Sequence, residues 1–337
     1  MHASKNTAMK KPACALAGDV GGTKTRLGLF VPGKMRPVAR VTATFSSRDA
    51  GSLEAIVAQM FERYPVRVKT GCFGIAGPVI NGECRATNLP WMVSEKKLRR
   101  RFGWRQVRLI NDLSSTAMAV PLLRQRELKA LNGPRVRKGQ NIGLVAPGTG
   151  LGLALLVDAG GRYRPVVSEG GHADFAPSDA SEADLWQYLH ARFDHVSTER
   201  VLSGPGLVNI YDWLKAGGHF SESPAIREAM RASDAARVIT ENAINGNDPL
   251  CRASLERFCR IFGSIAGNLA LTGLTTGGIF LGGGIPPKIL PVLQAGHFMA
   301  AFISKGRFED FMKKIAVRVI LNDRAALLGA ARCALDL

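Results

Sequence analysis

The chain has no Cys-x-x-Cys pair. Its six cysteines, at positions 14, 72, 84, 251, 259 and 333, are scattered along 337 residues. That spacing excludes a zinc knuckle and a disulfide framework, and it fits reduced thiols in a cytoplasmic protein. An apolar leader is lacking too: residues 1–12 are polar and basic, as expected of a disordered tail and not of a signal peptide. Residues 261–287 carry no charge, but Asn268, several glycines and threonines, and Pro286-Pro287 interrupt them. The stretch reads as helix, turn and strand, so no membrane span is expected. Acidic residues are in short supply, 27 against 45 Lys and Arg, for a net charge of +18. The basic residues are densest at Lys96, Lys97, Arg99, Arg100, Arg101 and Arg105. No recognition motif accompanies them, so they read as a solvated helix face and no nucleic-acid partner is expected. Such a surface would still attract phosphorylated small molecules. What remains, 46% hydrophobic and 21% charged, is the composition of a globular enzyme long enough for two domains.

What the chain does have is one glycine turn written twice. The first reads Gly18-Asp19-Val20-Gly21-Gly22-Thr23 and the second Gly148-Thr149-Gly150, each between two apolar runs. The residues that follow keep a strand period, so each copy reads as a β-hairpin with a tight corner. No Gly-Lys-Ser/Thr follows and no helix leaves the turn, which excludes a Walker loop and a dinucleotide fingerprint. Glycine corners let main-chain N–H groups approach an anion without a Cβ in the way. Two of them suggest two half-domains gripping one polyanion, with a nucleotide the obvious candidate.

Around these turns the pattern predicts a strand over 37–45, a helix over 52–63 and a strand over 67–76. Asn81-Gly82 marks a two-residue hairpin, and Ser94 caps a short basic helix. A strand over 107–110 ends in Asn111-Asp112, with Ser114 or Ser115 available to cap the helix that follows. Two β-meanders with helices between them thus make a small α/β domain over 13–120. A large α/β domain over 121–321 opens with the second glycine hairpin. Its best helix runs from Asp248 or Leu250 to Leu271, with Leu255, Phe258, Cys259, Phe262, Ile265, Ala266 and Leu269 on one face. A strand over 277–281 breaks into Gly282-Gly283-Gly284. The tail reads as a strand over 317–321 and a helix to residue 337, whose last part, 322–337, could pack back on the small domain.

Asn111-Asp112 stands where a strand ends, the usual place for a working carboxylate in an α/β sheet, although the pair also suits a helix cap. Glu169-Gly170-Gly171-His172 puts a carboxylate and an imidazole in a glycine loop, a pairing able to meet adjacent hydroxyls. Glu199-Arg200, taken alone, reads as a surface helix, and His190 and His195 as surface residues.

In this order and spacing the segments resemble the bacterial-type glucokinases of the actin-like sugar kinase superfamily. Those segments are 18–23, 110–112, 148–152, 169–172, 199–207, 267–271, 281–285 and 327–329. The resemblance implies a two-domain actin-like (ribonuclease H-like) α/β fold with a central cleft, and ATP-dependent phosphorylation of glucose at its 6-hydroxyl. It makes Asp112 the general base, and Asn88, Asn111, Asp112, Glu169, His172 and Glu199 the sugar contacts. Gly18, Asp19, Val20, Gly21, Gly22, Thr23, Gly148, Thr149 and Gly150 would carry the phosphates of ATP, with Asp19 near Mg2+ through water. Gly282, Gly283 and Gly284 would border the adenosine. A cytoplasmic homodimer is also implied.

Related zinc-containing sugar kinases and repressors carry a cysteine-rich segment after their Gly-His. Here Ala173-Asp174-Phe175-Ala176-Pro177 follows, so zinc is not expected, and no DNA-binding domain is expected before Gly18. Another hexose as acceptor, and polyphosphate or ADP as donor, stay open at the level of sequence. A non-catalytic sugar sensor is the reading from a different class.

Overall fold

Each glycine corner joins two antiparallel strands of a sheet, and the two sheets share one plan. The computed structural model describes residues 14–337; the expected tail lies outside them. The chain divides into two units, the first running to Leu122 and taking up Arg324–Leu337, the second comprising Leu123–Asp323.

The strands of the first unit are β1 (Ala15–Val20), β2 (Lys24–Val31), β3 (Val38–Ser46), β4 (Thr70–Ile75), β5 (Val79–Ile80), β6 (Glu83–Arg85), β7 (Met92–Ser94) and β8 (Gln106–Asn111). Those of the second are β9 (Leu128–Ala130), β10 (Ile142–Pro147), β11 (Leu151–Asp158), β12 (Tyr163–Ser168), β13 (Gly278–Leu281) and β14 (Val317–Ile320). The main sheet of the first unit has the order β3-β2-β1-β4-β8. Its β3-β2-β1 part is an antiparallel meander, and β4 and β8 then add in parallel. The second unit repeats the plan: β12-β11-β10 is antiparallel, and β13 and β14 add in parallel. Short β9 closes its edge antiparallel to β14, a strand too brief to show a sequence period. The second predicted meander is the separate sheet β5-β6-β7, which turns on Asn81 and Gly82, both at positive φ.

This plan fixes where function can sit. Parallel neighbours end at the same edge, so in the first unit the ends of β1, β4 and β8 bring Gly21, Gly77 and Asn111 to one rim. In the second unit the ends of β10 and β13 do the same for Gly148 and Gly282. Ligands of open α/β sheets bind at such carboxyl ends.

Helices cover the sheets through the predicted apolar faces. Helix Leu53–Arg63, capped by Ser52, buries Leu53, Ile56, Val57 and Met60. The long helix Pro249–Thr272 starts at Asp248, whose side chain accepts from the Cys251 amide at 2.8 Å. Its Leu255, Phe258, Cys259, Phe262, Ile265 and Ala266 join the main core of the second unit. Helix Ala325–Asp336 packs on the first unit, where Leu327, Ala330, Ala331, Cys333 and Ala334 meet Ala15, Ala17, Phe30 and Cys72. None of the described helices is long and apolar enough to cross a membrane.

Two local expectations are corrected. The helix after β8 begins at Asp112, not after Ser114 or Ser115, because Asn111 is the residue that caps it. Ser94 does stand at the N-cap of helix Glu95–Phe102, but its side chain makes no capping bond.

Candidate functional site

In the first unit the site residues gather on the rim where β1, β4 and β8 end. Asn111 leaves β8 in extended conformation, and its Oδ1 accepts from the Leu113 amide at 2.8 Å. Its Nδ2 donates to the Gly77 carbonyl at 3.3 Å, tying the end of β8 to the turn after β4. That turn needs glycine: Gly77 has φ 135°, and a Cβ there would stand 2.9 Å from the Arg85 carbonyl oxygen.

Asp112 is therefore the first residue of a helix, with its Oδ1 also accepting from the Leu113 amide at 2.8 Å. Two effects oppose each other on its carboxyl. Burial disfavours the charge and main-chain N–H groups favour it; burial is the larger, so the pKa is raised above the ordinary aspartate value. The same charge adds to burial in raising the thiol pKa of Cys84. The helix that carries Asp112 is gripped on two sides. On Gly74 of β4, an added Cβ would stand 2.8 Å from Ser115 Cβ; on Gly329 of the C-terminal helix, it would overlap the Ser115 carbonyl oxygen. Ser115 Oγ donates to the Ala326 carbonyl at 2.7 Å and completes the grip.

The first glycine turn lies beside Asn88, which is exposed: a Cβ on Gly22 would come within 2.6 Å of Asn88 Cβ. Gly18 is buried against Phe73, with no room for a side chain. None of Gly18, Gly21, Gly22, Gly148 and Gly150 is at positive φ. In these turns glycine serves close approach, not a left-handed backbone.

The amides of the two turns are not equivalent. Gly21 N–H donates to the Lys24 carbonyl at 3.1 Å, and Gly148 N–H to the Gly150 carbonyl at 2.8 Å. Those two hold the corners shut. Among the described residues the amides of Gly22, Thr23, Thr149 and Gly150 donate to no main-chain carbonyl. They are the ones available to an anion. Asp19, at the end of β1, pairs across the hairpin with Arg26, whose Nη1 is 3.9 Å from Asp19 Oδ2. Counting back across the turn in the sequence could have found that partner.

In the second unit Glu199 is no surface-helix residue. It lies in a single helical turn, Thr198–Arg200, and its Oε2 accepts from the Leu151 amide at 2.8 Å, locking it to the glycine corner. A Cβ on Gly150 would come within 2.6 Å of that same oxygen. Another turn, Gly170–His172, packs on the hairpin through Gly171, whose added Cβ would overlap the Leu151 carbonyl. It joins the Glu199 turn through the Thr198 amide, which donates to the Ala173 carbonyl at 2.8 Å. Glu169 and His172 stand exposed, with His172 Nε2 4.0 Å from Glu169 Oε2.

Gly204 N–H donates to the Gly148 carbonyl at 2.8 Å and docks helix Gly204–Ala216 on the corner. Gly282 N–H donates to the Val145 carbonyl at 2.9 Å, and Gly283, at φ 82°, lies against Pro147. Thus Gly148–Gly150, Glu169, His172, Glu199 and Gly282–Gly284 share one end of the second unit, while Gly18–Thr23, Asn88, Asn111 and Asp112 share one rim of the first. His190 and His195 are exposed, as read from the sequence. Among the described residues no group of three or more His, Cys, Asp and Glu could hold a metal ion.

A family model described as Glucokinase matches residues 16–337. The chain is 40% identical over 319 residues to the glucokinase of Shigella dysenteriae serotype 1 (strain Sd197), a match spanning 94% of this chain and 95% of that protein. Among solved structures it is similar to the glucokinase of an Antarctic psychrotroph, with 31% identity and a TM-score of 0.86 over 97% of this chain and 100% of the other. A ROK family glucokinase from Streptomyces griseus, solved in complex with glucose and AMPPNP, has a TM-score of 0.63 at 20% identity over 96% of this chain and 100% of its own. At that identity the likeness is one of fold. The fold is the two-domain actin-like α/β fold of these sugar kinases.

Proposed function

The chain belongs to the glucokinase family, and from that premise we propose that Asp112 is the general base in transfer of the γ-phosphoryl group of ATP to the 6-hydroxyl of glucose. The single observation that carries the reading is the state of Asp112: a partly buried carboxyl with raised proton affinity, fixed at a helix start by Asn111 and by the grip on Ser115. A base matched to an alcohol needs that combination of position and basicity.

Phosphoryl transfer asks little covalent chemistry of a protein; alignment and charge neutralisation dominate. Asp112 takes the proton from the sugar oxygen as that oxygen attacks the γ-phosphorus, and ADP leaves. Asn88 and Asn111 of the first unit, and Glu169, His172 and Glu199 of the second, hold the other sugar hydroxyls. The turns Gly18–Thr23 and Gly148–Gly150 carry the phosphates, through the unengaged amides of Gly22, Thr23, Thr149 and Gly150. Gly282–Gly284 border the adenosine.

Asp19 would hold Mg2+ through water. One carboxylate suits an ion ligated mostly by phosphate and water. When bound, the ion offsets charge on the β- and γ-phosphates. The glucose and AMPPNP complex of the Streptomyces griseus protein supports this pairing of substrates. A cytoplasmic homodimer is the form we propose for the active protein, with sedimentation velocity as its check.

The experiment is Asp112→Asn, assayed with glucose and ATP and separately for glucose binding. Turnover should fall by about 10²–10⁴-fold while the glucose Kd changes little. Parallel loss of both would make Asp112 a binding residue. Polyphosphate or ADP in place of ATP should support no comparable rate.

A further inference from the structure

Asn88 does not hold itself in place. It stands exposed in the short return between β6 and β7, and its side chain makes no hydrogen bond among the described residues. The base of that return is closed: Ala86 N–H donates to the Trp91 carbonyl at 3.1 Å, and both residues are buried. Residues 87–90 span the gap between them.

What fixes the return is Thr87. Its N–H donates to the Ala76 carbonyl at 3.0 Å, and its Oγ1 donates to the same carbonyl at 3.2 Å. Ala76 directly follows β4, and the carbonyl of the next residue, Gly77, accepts from Asn111 Nδ2. Two successive carbonyls of one turn therefore hold Thr87 and Asn111.

The turn and the return are in close contact. A Cβ on Gly77 would stand 2.9 Å from the Arg85 carbonyl oxygen and 3.3 Å from both Cys84 Sγ and Thr87 Oγ1. Asn88 follows Thr87 at once and lies against Gly22 of the first glycine turn. A Cβ on Gly22 would come within 2.6 Å of Asn88 Cβ and 3.4 Å of the Asn88 carbonyl oxygen.

The main-chain bond to Ala76 needs no particular residue at 87; the second bond needs a hydroxyl. Bonds from the amide and the side chain to one acceptor restrict the chain entering Asn88 more than the amide bond alone. Thr87 is exposed, so loss of its hydroxyl opens no cavity in a core. The consequence of that bond is local geometry.

We infer that Thr87 is a positioning residue of the sugar site. By clamping the chain before Asn88 to the turn after β4, it sets where the Asn88 amide group stands relative to Asn111. The inference rests on the assignment of Asn88 to the sugar, and it does not depend on Asp112 being the base.

Steady-state kinetics with glucose at saturating ATP test it, on Thr87→Val, Thr87→Ser, Asn88→Ala and the double variant Thr87→Val/Asn88→Ala. Thr87→Val keeps the branched side chain and loses the hydroxyl. Its KM for glucose should rise about 2- to 10-fold, the effect of one lost hydrogen bond, with kcat and Tm as in the wild type. Thr87→Ser retains the donor and should keep the wild-type KM. Asn88→Ala should raise the KM at least as far. Thr87→Val should add nothing in that background, because a positioning residue acts only through the group it places. The inference alone fails if Asn88→Ala raises the KM and Thr87→Val does not, if the Thr87→Val effect persists in full on Asn88→Ala, or if Thr87→Ser behaves as Thr87→Val. An unchanged KM in Asn88→Ala refutes the assignment of Asn88 to the sugar, and the inference with it.

Discussion

Gly329 rests on the carbonyl of Ser115 so closely that a methyl group at 329 would overlap the oxygen. The two residues are 214 positions apart by number, yet their contact sets the helix that begins with Asp112. Gly329→Ala should therefore cost roughly 1–3 kcal/mol through overpacking, read as a lower Tm in thermal denaturation. It should also lower kcat more than it raises KM for glucose, since a tilt of the helix moves the carboxylate. A variant with wild-type kcat and a lower Tm would limit the contact to stability.

Ser115→Ala removes the hydroxyl that donates to Ala326 without adding bulk. The loss should be about 0.5–1.5 kcal/mol, smaller than for Gly329→Ala, and is measured by denaturant unfolding.

Asp112 carries a pH signature whose sign follows from burial. Its carboxyl binds a proton more tightly in the folded protein than in the unfolded chain. Between the two pKa values the folded state holds more protons, so stability falls as pH rises through that window. Above it, the ionised carboxylate is a net cost to the fold. Asp112→Asn should raise Tm at neutral pH, and the gain should vanish below the unfolded-state value of about 3.9. The acid limb of kcat/KM should lie above the ordinary aspartate range. A lower Tm for Asp112→Asn at neutral pH would contradict this account.

The two corner glycines separate steric from ligand effects. Around Gly148 nothing stands within 4 Å of an added Cβ, whereas around Gly150 Glu199 Oε2 stands at 2.6 Å. Gly148→Ala should fold with unchanged Tm and show a raised KM for ATP only. Gly150→Ala should displace Glu199 from the Leu151 amide and raise the KM for glucose as well. An unaltered KM for ATP in Gly148→Ala would remove that residue from the phosphate site.

Asp248→Ala should weaken helix Pro249–Thr272 at its start, by about 0.5–2 kcal/mol, because the bond to the Cys251 amide is buried. Thermal denaturation measures it, and catalysis should be unaffected.

Much of this was legible before any coordinates. The Asn81-Gly82 hairpin, the helix over 52–63, the helix from Asp248 or Leu250 and its apolar face from Leu255 to Ile265 all rest on interactions within a few residues. The repeated glycine corner announced two sheets of one plan, because an antiparallel hairpin is a local object. Edge strand β9 was missed: three residues are too few to carry a period, and its place depends on β14, nearly two hundred residues on.

The sequence by itself determined the kinds of element, the two corners and the polar residues that could meet a sugar and a nucleotide, since propensity and turn chemistry act along the chain. Only the tertiary structure decided that Asn111 and not Ser114 or Ser115 starts the helix of Asp112, and that Glu199 closes on Leu151. It alone revealed that the corner amides of Gly21 and Gly148 are already engaged while their neighbours are not. These outcomes turn on parallel pairing and on helices packed across long sequence separations, where a fraction of an ångström of free space decides which residue can sit beside which.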